Sequence, residues 1–363
     1  MAIKQIGDYS AVTTPAVTDE FLVQQRGISQ KCTADQILDV VGDLTYAEID
    51  DMATGDVFMG TQSGGQVKIT ISQITDYAKL IAYGYIYGGI TGTTELRLCD
   101  AYSVSANTWT NRANIPTPAR HGSAASSISN KGYLYAGYNG TVELNDCDEY
   151  TIGTNAWANK TNNSTASRKF LAASTILGKG YIYGGSTSTG NSKLCDEYDS
   201  TANAWTAKES FSLAAKYGLG ASTILNNGYI YGGYSTTYTQ HCEGYNPITD
   251  LWTTKKNLLT PGRANVIPAS TISDKGYIYG GYWVSPLVLQ YCDEFDSVKD
   301  IWTRKSQNNN ASSYFGAAST ILGKGYVYAY ERCDAYDPIT NSWSTKLNLI
   351  SSRLWIAAST LHS

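Results

Sequence analysis

The sequence predicts an all-β protein: a six-bladed β-propeller closed by its C-terminal strand and preceded by a small β-rich N-terminal doublet. Three observations lead to this prediction, namely the composition, a repeat that occurs six times, and a strand-like segment left over at the C-terminal end. The 363 residues include 34 Gly, 29 Tyr and 8 Trp but only 3 Met, and 16% are charged. Because strands favour aromatic residues and turns favour glycine, this composition indicates strands separated by tight turns.

A six-residue motif, Gly-Tyr-Ile-Tyr-Gly-Gly at 84–89, sets the period of the repeat. Its variants follow at intervals of 48 or 49 residues and begin at Gly132, Gly180, Gly228, Gly276 and Gly325. A cysteine, followed ten residues later by a tryptophan, recurs with the same phase. These pairs are Cys99/Trp109, Cys147/Trp157, Cys195/Trp205, Cys242/Trp252, Cys292/Trp302 and Cys333/Trp343. A fixed period of this length is typical of architectures in which each repeat is one supersecondary unit.

Each repeat divides into four short strands. In one repeat, 172–177 and 181–185 flank a glycine turn, and Cys195–Asp199 and Ala204–Lys208 form a second hairpin. Four antiparallel strands in about 48 residues match the blade of a propeller, with a solenoid as the alternative.

The C-terminal end favours a closed ring over a solenoid. The first motif lacks the Ala-Ala-Ser-Thr strand that precedes later motifs, because residues 74–82 do not match it. That strand occurs instead at 357–361, where no further repeat remains for it to join. We therefore predict that 357–361 completes the first blade, which removes the free sheet edges of an open array.

Residues 84–361 resemble a six-bladed kelch β-propeller. The resemblance rests on a double glycine at the end of the second strand, as at 184–185, and on a spacing of seven residues between a Tyr or Phe and a Trp in every repeat. Two repeats depart from the double glycine, at 136–137 and 329–330, and the second of these has only two residues between Tyr330 and its cysteine. The resemblance implies a ring of six blades around a central channel.

The first 80 residues differ in charge and in repeat length. They carry 5 basic and 11 acidic side chains, against 22 and 20 in the rest of the chain. Nine residues recur at an offset of 37, in copies at about 17–42 and 54–79. Each copy predicts a strand, a glycine turn, a second strand and a short helical turn that begins at Thr33 or Thr70. We place the domains at 1–80 and 81–363.

This doublet resembles the short N-terminal modules of tail fibres and other appendage proteins of tailed bacteriophages, which attach the appendage to the particle. The resemblance implies a virion location, contacts with other virion proteins through 1–80, and multiple copies per particle. The repeated residues that would carry the attachment are Phe21, Gly27, Lys31, Ile37, Phe58, Gly64, Lys68 and Ile74.

Several function classes are disfavoured by the sequence. A formal net charge of −4 gives no footprint for nucleic acid, and no apolar run approaches the roughly 20 residues that a membrane helix needs. The six repeated cysteines fall on different blades, so we predict buried thiols rather than disulfides. His121, His241 and His362 fall at different positions within the repeat, which argues against a copper site. We expect no catalytic residue, no metal and no cofactor, with a kelch-type copper oxidase or a glycan-active enzyme as the alternative.

Variable loops are predicted on one face of the propeller, where binding is usual. Two sets of residues on this face predict a ligand site. The first is a basic residue four or five positions before the first strand of a blade: Arg120, Arg168, Lys216, Arg263 and Arg353, with Ser313 in the remaining repeat. Such a ring suits an anionic ligand. In the alternative interpretation, these residues tie adjacent blades together.

The second set comprises aromatic residues outside the repeat pattern: Tyr138, Tyr234, Tyr238, Tyr282 and Trp283. Sugar rings stack on exposed aromatic side chains, although such side chains also pack under neighbouring loops. We therefore predict that the propeller loops recognise a glycan or protein on the host surface. A passive virion decoration protein is the first alternative.

Overall fold

The structure is a computed structural model that describes residues 4–5, 20–25, 28–33, 57–62, 65–70, 82–259, 261–264, 267–283, 289–308 and 315–362. The chain divides into two compact units, Met1–Ile81 and Ala82–Ser363. Within the described residues, no helix is long and apolar enough to cross a membrane.

The strands of the first unit form one five-stranded sheet. Glu20–Gln25 pairs with Ile28–Thr33, and Val57–Gln62 pairs with Gly65–Thr70, in two antiparallel hairpins with equivalent registers. The two hairpins join through Glu20–Gln25 and Val57–Gln62, and Lys4–Gln5 runs parallel to Gly65–Thr70. The strand pairs that the offset of 37 residues predicts are therefore present.

Half of the predicted attachment residues lie on these strands, namely Phe21, Lys31, Phe58 and Lys68. The other half, Gly27, Ile37, Gly64 and Ile74, and the predicted helical turns lie outside the described residues.

The second unit contains six four-stranded antiparallel sheets, which confirms the predicted all-β six-bladed propeller. Two short ribbons, Ile90–Thr91 with Thr94–Glu95 and Ser186–Thr187 with Gly190–Asn191, extend blades 1 and 3. The strands of each blade are given from the innermost outwards. Blade 1 consists of Ala357–His362, Ala82–Tyr87, Cys99–Ser103 and Thr108–Asn111. Blade 2 consists of Ala124–Ile128, Lys131–Tyr138, Glu143–Thr151 and Ala156–Asn159. Blade 3 consists of Ala172–Ile176, Lys179–Tyr183, Cys195–Asp199 and Ala204–Lys208. Blade 4 consists of Gly220–Ile224, Asn227–Tyr231, Cys242–Asn246 and Leu251–Thr254. Blade 5 consists of Ile267–Ile272, Lys275–Tyr279, Cys292–Asp296 and Ile301–Arg304. Blade 6 consists of Ala317–Ile321, Lys324–Ala329, Arg332–Asp337 and Ser342–Thr345.

The C-terminal strand closes the ring, as predicted. Ala357–His362 pairs antiparallel with Ala82–Tyr87 along its full length. A circle of hydrogen bonds also joins the innermost strands, because in each blade a Ser or Thr hydroxyl donates to a backbone carbonyl of the preceding blade at 2.6–2.9 Å. The six donors are Ser127, Thr175, Thr223, Thr271, Thr320 and Thr360. The circle passes through the C-terminal strand without a break.

The repeated glycine and tyrosine of the motif form one contact between neighbouring blades. The hydroxyls of Ser174 and Tyr183 in blade 3 are hydrogen-bonded at 3.0 Å, and this Tyr183 hydroxyl packs against Gly228 of blade 4. A Cβ at Gly228 would lie 2.5 Å from it, so only glycine leaves enough room. Equivalent Ser and Tyr hydroxyls pair in all six blades: Ser126/Tyr135, Ser174/Tyr183, Ser222/Tyr231, Ser270/Tyr279, Ser319/Tyr328 and Ser359/Tyr87.

Each tryptophan of the repeat attaches an outermost strand to the preceding part of the ring. In blade 3, Trp205 lies directly opposite Tyr198 in the ladder, with ring centroids 5.0 Å apart. The Trp205 ring also meets Tyr135 of blade 2 edge-on, and its Nε1 donates to the Thr161 carbonyl at 2.7 Å. The spacing of seven residues therefore places a tyrosine and a tryptophan side by side at the boundary between two blades.

Replacing Gly228 with alanine should destabilise the propeller by about 1–3 kcal/mol, the usual cost of forcing extra volume into a packed core. Chemical denaturation followed by tryptophan fluorescence would measure the loss. Gly153→Ala is the matched control, since a Cβ there meets no atom within 4 Å. Adding Tyr183→Phe to Gly228→Ala should recover part of the loss, because it removes the nearest clashing atom. Equal stability of the Gly228 and Gly153 variants would contradict this account.

Candidate functional site: the aromatic mouth of the propeller

The propeller has two different faces. Tight hairpins join the first and second strands on one face, which we call the hairpin face, and the segments between second and third strands lie on the other, the loop face. On the loop face, the residue after the double-glycine position pairs with a residue that precedes the first strand, as for His121 with Tyr138 and Tyr217 with Tyr234. The chain entering a blade and the loop leaving its second strand therefore meet near the axis.

The five basic residues predicted to line this face are buried. Their side chains have 0% exposure, and each contacts a carboxylate on the third strand of its own blade. The pairs are Arg120/Asp148, Arg168/Asp196, Lys216/Glu243, Arg263/Asp293 and Arg353/Asp100. The sixth position, Ser313, lies outside the described residues.

These contacts support the alternative interpretation, in which the basic residues tie blades together. The Arg168 backbone N–H donates to Leu144 of blade 2 at 2.8 Å, while its Nη1 donates to the carbonyls of Gly184 and Leu194 in blade 3 at 3.2 Å. Burial lowers the pKa of Arg168, an effect that the Asp196 carboxylate opposes. Because side chains without exposed surface cannot contact a ligand, we correct the prediction and remove all five from the candidate site.

Eight aromatic side chains form a closed series of ring contacts on the loop face. Neighbouring ring centroids in this series are 4.9–6.5 Å apart, the range of favourable aromatic pairs. In order, the residues are His121, Phe170, Tyr217, Tyr234, Tyr238, Tyr282, Phe315 and Trp355. We call this set the aromatic mouth. It includes three of the predicted aromatic residues, those of 234, 238 and 282.

The other two predicted aromatic residues lie beside the aromatic mouth. Tyr138 contacts the His121 ring edge-on at 5.6 Å, and the Lys169 ammonium lies 3.7 Å from the Tyr138 ring centroid. Trp283 directly follows Tyr282 and is 38% exposed. The structure thus leaves the indole of Trp283 accessible and partly covers the ring of Tyr138.

Three rings of the aromatic mouth meet at the axis. The Trp355 ring of blade 1 lies 5.5 Å from Phe170 of blade 3 and 4.9 Å from Phe315 of blade 6. All three residues have φ between +54° and +59°, a backbone conformation that bulky residues rarely adopt. The equivalent residue of blade 2 is Gly122, where a Cβ would lie 2.8 Å from the Phe170 ring. Glycine there leaves the space that Phe170 occupies.

A pocket of about 390 Å³, including the part open to solvent, lies among these rings. Besides Phe170, Phe315 and Trp355, its walls include the apolar side chains of Leu171 and Leu219. Trp355 Nε1 is buried and has no hydrogen-bond partner among the described residues. One residue of these mainly apolar walls, Trp355, therefore carries an unused hydrogen-bond donor.

The imidazole of His121 belongs to the same site. Its ring stacks on Trp355 at 5.0 Å, and its Nδ1 lies 3.6 Å from a Glu95 carboxylate oxygen. Burial lowers the pKa of His121, although Glu95 acts in the opposite direction. The side chain is therefore neutral at pH 7 and adds no positive charge to the aromatic mouth.

Comparison with known proteins identifies the propeller family. Residues 80–281 match the family model of the KLHDC2/KLHL20/DRC7 Kelch-repeats domain. The chain belongs to this kelch-repeat family. A solved structure of YjhT has the same fold as this kelch propeller, with a TM-score of 0.61 and 12% sequence identity over 73% of this chain and 97% of YjhT. A search of curated protein sequences finds no match.

Sequence reasoning missed five members of the aromatic mouth of this kelch propeller: His121, Phe170, Tyr217, Phe315 and Trp355. A signal was present, because each follows the basic position of its repeat, or the equivalent Ser313, by one or two residues. The residue two positions after the basic residue is Gly122, Phe170 and Gly218 in three successive blades. This position therefore does not follow the repeat pattern. Such a variable position beside the channel is a candidate for function.

The cysteines and the other side chains that could bind a metal ion lie outside the aromatic mouth or form no metal site among the described residues. The six repeated cysteines are buried and unpaired, as predicted, and burial raises the pKa of each thiol. In the described part of the chain, no group of three His, Cys, Asp or Glu side chains is arranged to hold a metal ion.

Proposed function

We propose that this chain is a bacteriophage virion protein, a tail fibre, spike or other appendage, whose kelch propeller binds a carbohydrate on the host surface through the aromatic mouth. The observation that carries the proposal is the closed series of eight aromatic rings on the loop face. Aromatic rings bind the apolar faces of sugars, and they lose little conformational freedom when they do so.

The N-terminal unit supports the virion part of the proposal. Its two equivalent hairpins match the doublet that resembles bacteriophage attachment modules. Display of many copies on one particle would convert weak binding at each propeller into strong attachment to a cell, because every contact after the first is effectively intramolecular. The proposal therefore needs only modest affinity at a single aromatic mouth.

Replacing Tyr238 and Tyr282 together with alanine should weaken binding of the full chain to whole bacterial cells by roughly 5- to 150-fold. Each lost aromatic contact contributes about 0.5–1.5 kcal/mol to this range. Fluorescently labelled protein and a panel of bacterial strains would provide the measurement. Both tyrosines are only partly buried at the rim, so the variant should remain folded.

Leu177→Ala is the matched control, since Leu177 is an exposed apolar residue in a tight turn of the hairpin face. It should leave cell binding unchanged. Suppose that the Tyr238/Tyr282 variant binds the same strains as the natural chain, with the same affinity. The aromatic mouth is then not the recognition surface. If the natural chain binds no strain in a panel that includes the host, the chain acts as a passive decoration protein.

A further inference from the structure

We infer that the pocket at the centre of the aromatic mouth binds the terminal unit of a neutral glycan, with Trp355 as the hydrogen-bond donor. This inference rests on the proposed function and specifies the ligand of the same site. Four features carry it: the hydrogen-bonded backbone that carries the axial rings, the unused indole N–H, the balance of charge around the pocket, and the closed centre of the aromatic mouth.

The backbone that carries the rings of Phe170 and Trp355 is held by hydrogen bonds between blades. The Gly122 N–H donates to the Trp355 carbonyl at 2.9 Å, the Phe170 N–H donates to the Gly122 carbonyl at 2.7 Å, and the Gly218 N–H donates to the Phe170 carbonyl at 2.8 Å. These bonds cross from blade to blade and maintain the positive φ of Phe170 and Trp355. Backbone strain of this kind is retained mainly where the surrounding structure imposes it, often at binding sites.

Trp355, which lines the pocket, carries an unused hydrogen-bond donor, its indole N–H. Tryptophan normally finds a partner for this group when it is buried, as the six tryptophans of the repeat do. Trp355 Nε1 is buried among apolar walls without such a partner in the described residues. A buried donor left unbonded costs free energy, which a ligand hydroxyl or ring oxygen would recover. The flat apolar faces of Phe170 and Phe315 suit the carbon face of a sugar ring.

The charges around the pocket favour a neutral ligand. The five basic residues near the axis are paired with carboxylates, as described above. Lys169, the remaining cation at this edge of the mouth, is paired with Glu143 at 3.0 Å. Glu95 lies beside His121, which burial keeps neutral at pH 7. An acidic sugar would therefore meet no free cation in the described part of the site, and its carboxylate would lose hydration without compensation.

The closed centre of the aromatic mouth indicates one sugar unit bound at a chain end. The Trp355 ring contacts Phe170 on one side and Phe315 on the other, so a glycan chain cannot pass between them. In blade 6, only Tyr330 and Glu331 join the second and third strands, so this loop adds little to the rim of the pocket.

Calorimetric titration of the full chain with methyl glycosides tests this inference. The neutral probes are the methyl glycosides of glucose, galactose, mannose and N-acetylglucosamine, and the acidic probes are those of glucuronic, galacturonic and N-acetylneuraminic acid. We expect at least one neutral glycoside to bind and the acidic ones to bind at least tenfold more weakly. Trp355→Phe keeps a ring but removes the N–H, and it should weaken that binding about 5-fold.

Trp205→Phe makes the same chemical change at an indole on the outermost strand of blade 3, outside the aromatic mouth, and is the matched control. It should leave glycoside binding unchanged. A disaccharide of the bound sugar, with a 4,6-O-benzylidene acetal on its non-reducing unit, should bind at least tenfold more weakly than the free disaccharide. Thermal unfolding would confirm that each variant is folded.

Three results would overturn the inference: tighter binding of the acidic probes, equal effects of the two tryptophan substitutions, or undiminished binding of the capped disaccharide. If no glycoside binds but the chain still binds bacterial cells through Tyr238 and Tyr282, the inference fails and the proposed function stands. If the chain binds neither glycosides nor cells, the proposed function fails as well.

Discussion

Replacing Arg168 with methionine is expected to lower the free energy of unfolding by about 3–5 kcal/mol, the usual cost of removing one partner of a buried ion pair. Arg168 and Asp196 both have 0% side-chain exposure. Without the guanidinium, the Asp196 carboxylate keeps one side-chain donor, the Thr165 hydroxyl at 2.8 Å, and remains buried as an uncompensated charge. The carbonyls of Gly184 and Leu194 also lose a donor.

Urea denaturation followed by tryptophan fluorescence would measure this loss. Lys179→Met is the matched control in the same blade, because Lys179 is 39% exposed and pairs with Glu197 at 2.8 Å. Partly exposed pairs contribute about 1 kcal/mol or less. If Arg168→Met costs no more than Lys179→Met, the buried pair does not hold the blades together as described.

Blade 4 offers a second test of the same ion pair. There the residues equivalent to Arg168 and Asp196 are Lys216 and Glu243, a shorter base with a longer acid, 3.3 Å apart. Arg168→Lys alone should be destabilising, since the lysine cannot span the distance to aspartate. Adding Asp196→Glu should restore most of the stability. Failure of the second substitution to restore stability would show that the two blades do not use interchangeable pairs.

Removing residues 357–363 is expected to abolish cooperative folding of the propeller. The truncation takes away the innermost strand of blade 1 and breaks the circle of hydroxyl hydrogen bonds at two places, Ser127 to Thr360 and Thr360 to Thr320. It also exposes the edge of Ala82–Tyr87, which then becomes a template for intermolecular pairing. We expect aggregation, or a single compact state without a sharp thermal transition, by size-exclusion chromatography and calorimetry.

A truncation that removes only residues 362–363 is the control for this experiment. It loses two hydrogen bonds between His362 and Asn130 but keeps the buried side chain of Leu361. It should fold normally. A synthetic peptide of residues 353–362 added to the longer truncation should restore a cooperative transition. A monomeric 357–363 truncation with unchanged thermal stability would show that the ring does not need this strand.

The ring and its closure could be predicted because they depend on residues that every blade repeats. The spacing of the tryptophans, the glycine before Tyr181 and the unused strand at 357–361 report contacts that occur six times, so the period reveals them. Backbone pairing then follows from strand order alone. The extra residue in the step from Gly276 to Gly325 lies in the loop between Gly281 and Cys292. The first strand of the same blade has a register shift between Ile267 and Ser270, which the period does not reveal.

The burial of the five basic residues could not be predicted from the sequence alone. A sequence shows that a base precedes each first strand but does not show whether it points to the axis or into the blade. One signal was available: the acid lies 28 residues after the base in Arg120/Asp148 and Arg168/Asp196. In blade 4 both partners change together, to Lys216 and Glu243. Such paired change indicates direct contact.

The aromatic mouth was harder to predict, because its central contacts join residues from non-adjacent parts of the chain. Trp355 meets both His121 and Phe170, although about half of the chain or more separates it from each of them. These residues also differ from one repeat to the next, so an alignment of the six blades shows no shared residue at their positions. Their proximity also depends on the positive φ at each axial position, which has no local sequence signature.

The position of the closing strand also determines how the propeller can be attached to a support. Ala82 lies opposite His362 in blade 1, so the propeller chain begins and ends side by side. Both ends lie on the hairpin face, because the strand that starts at Ala82 reaches the loop face only at Gly88. A tag or linker joined at either end would therefore leave the opposite face pointing into solution. Oriented immobilisation on a biosensor, and display on any larger assembly, needs no rearrangement of this fold.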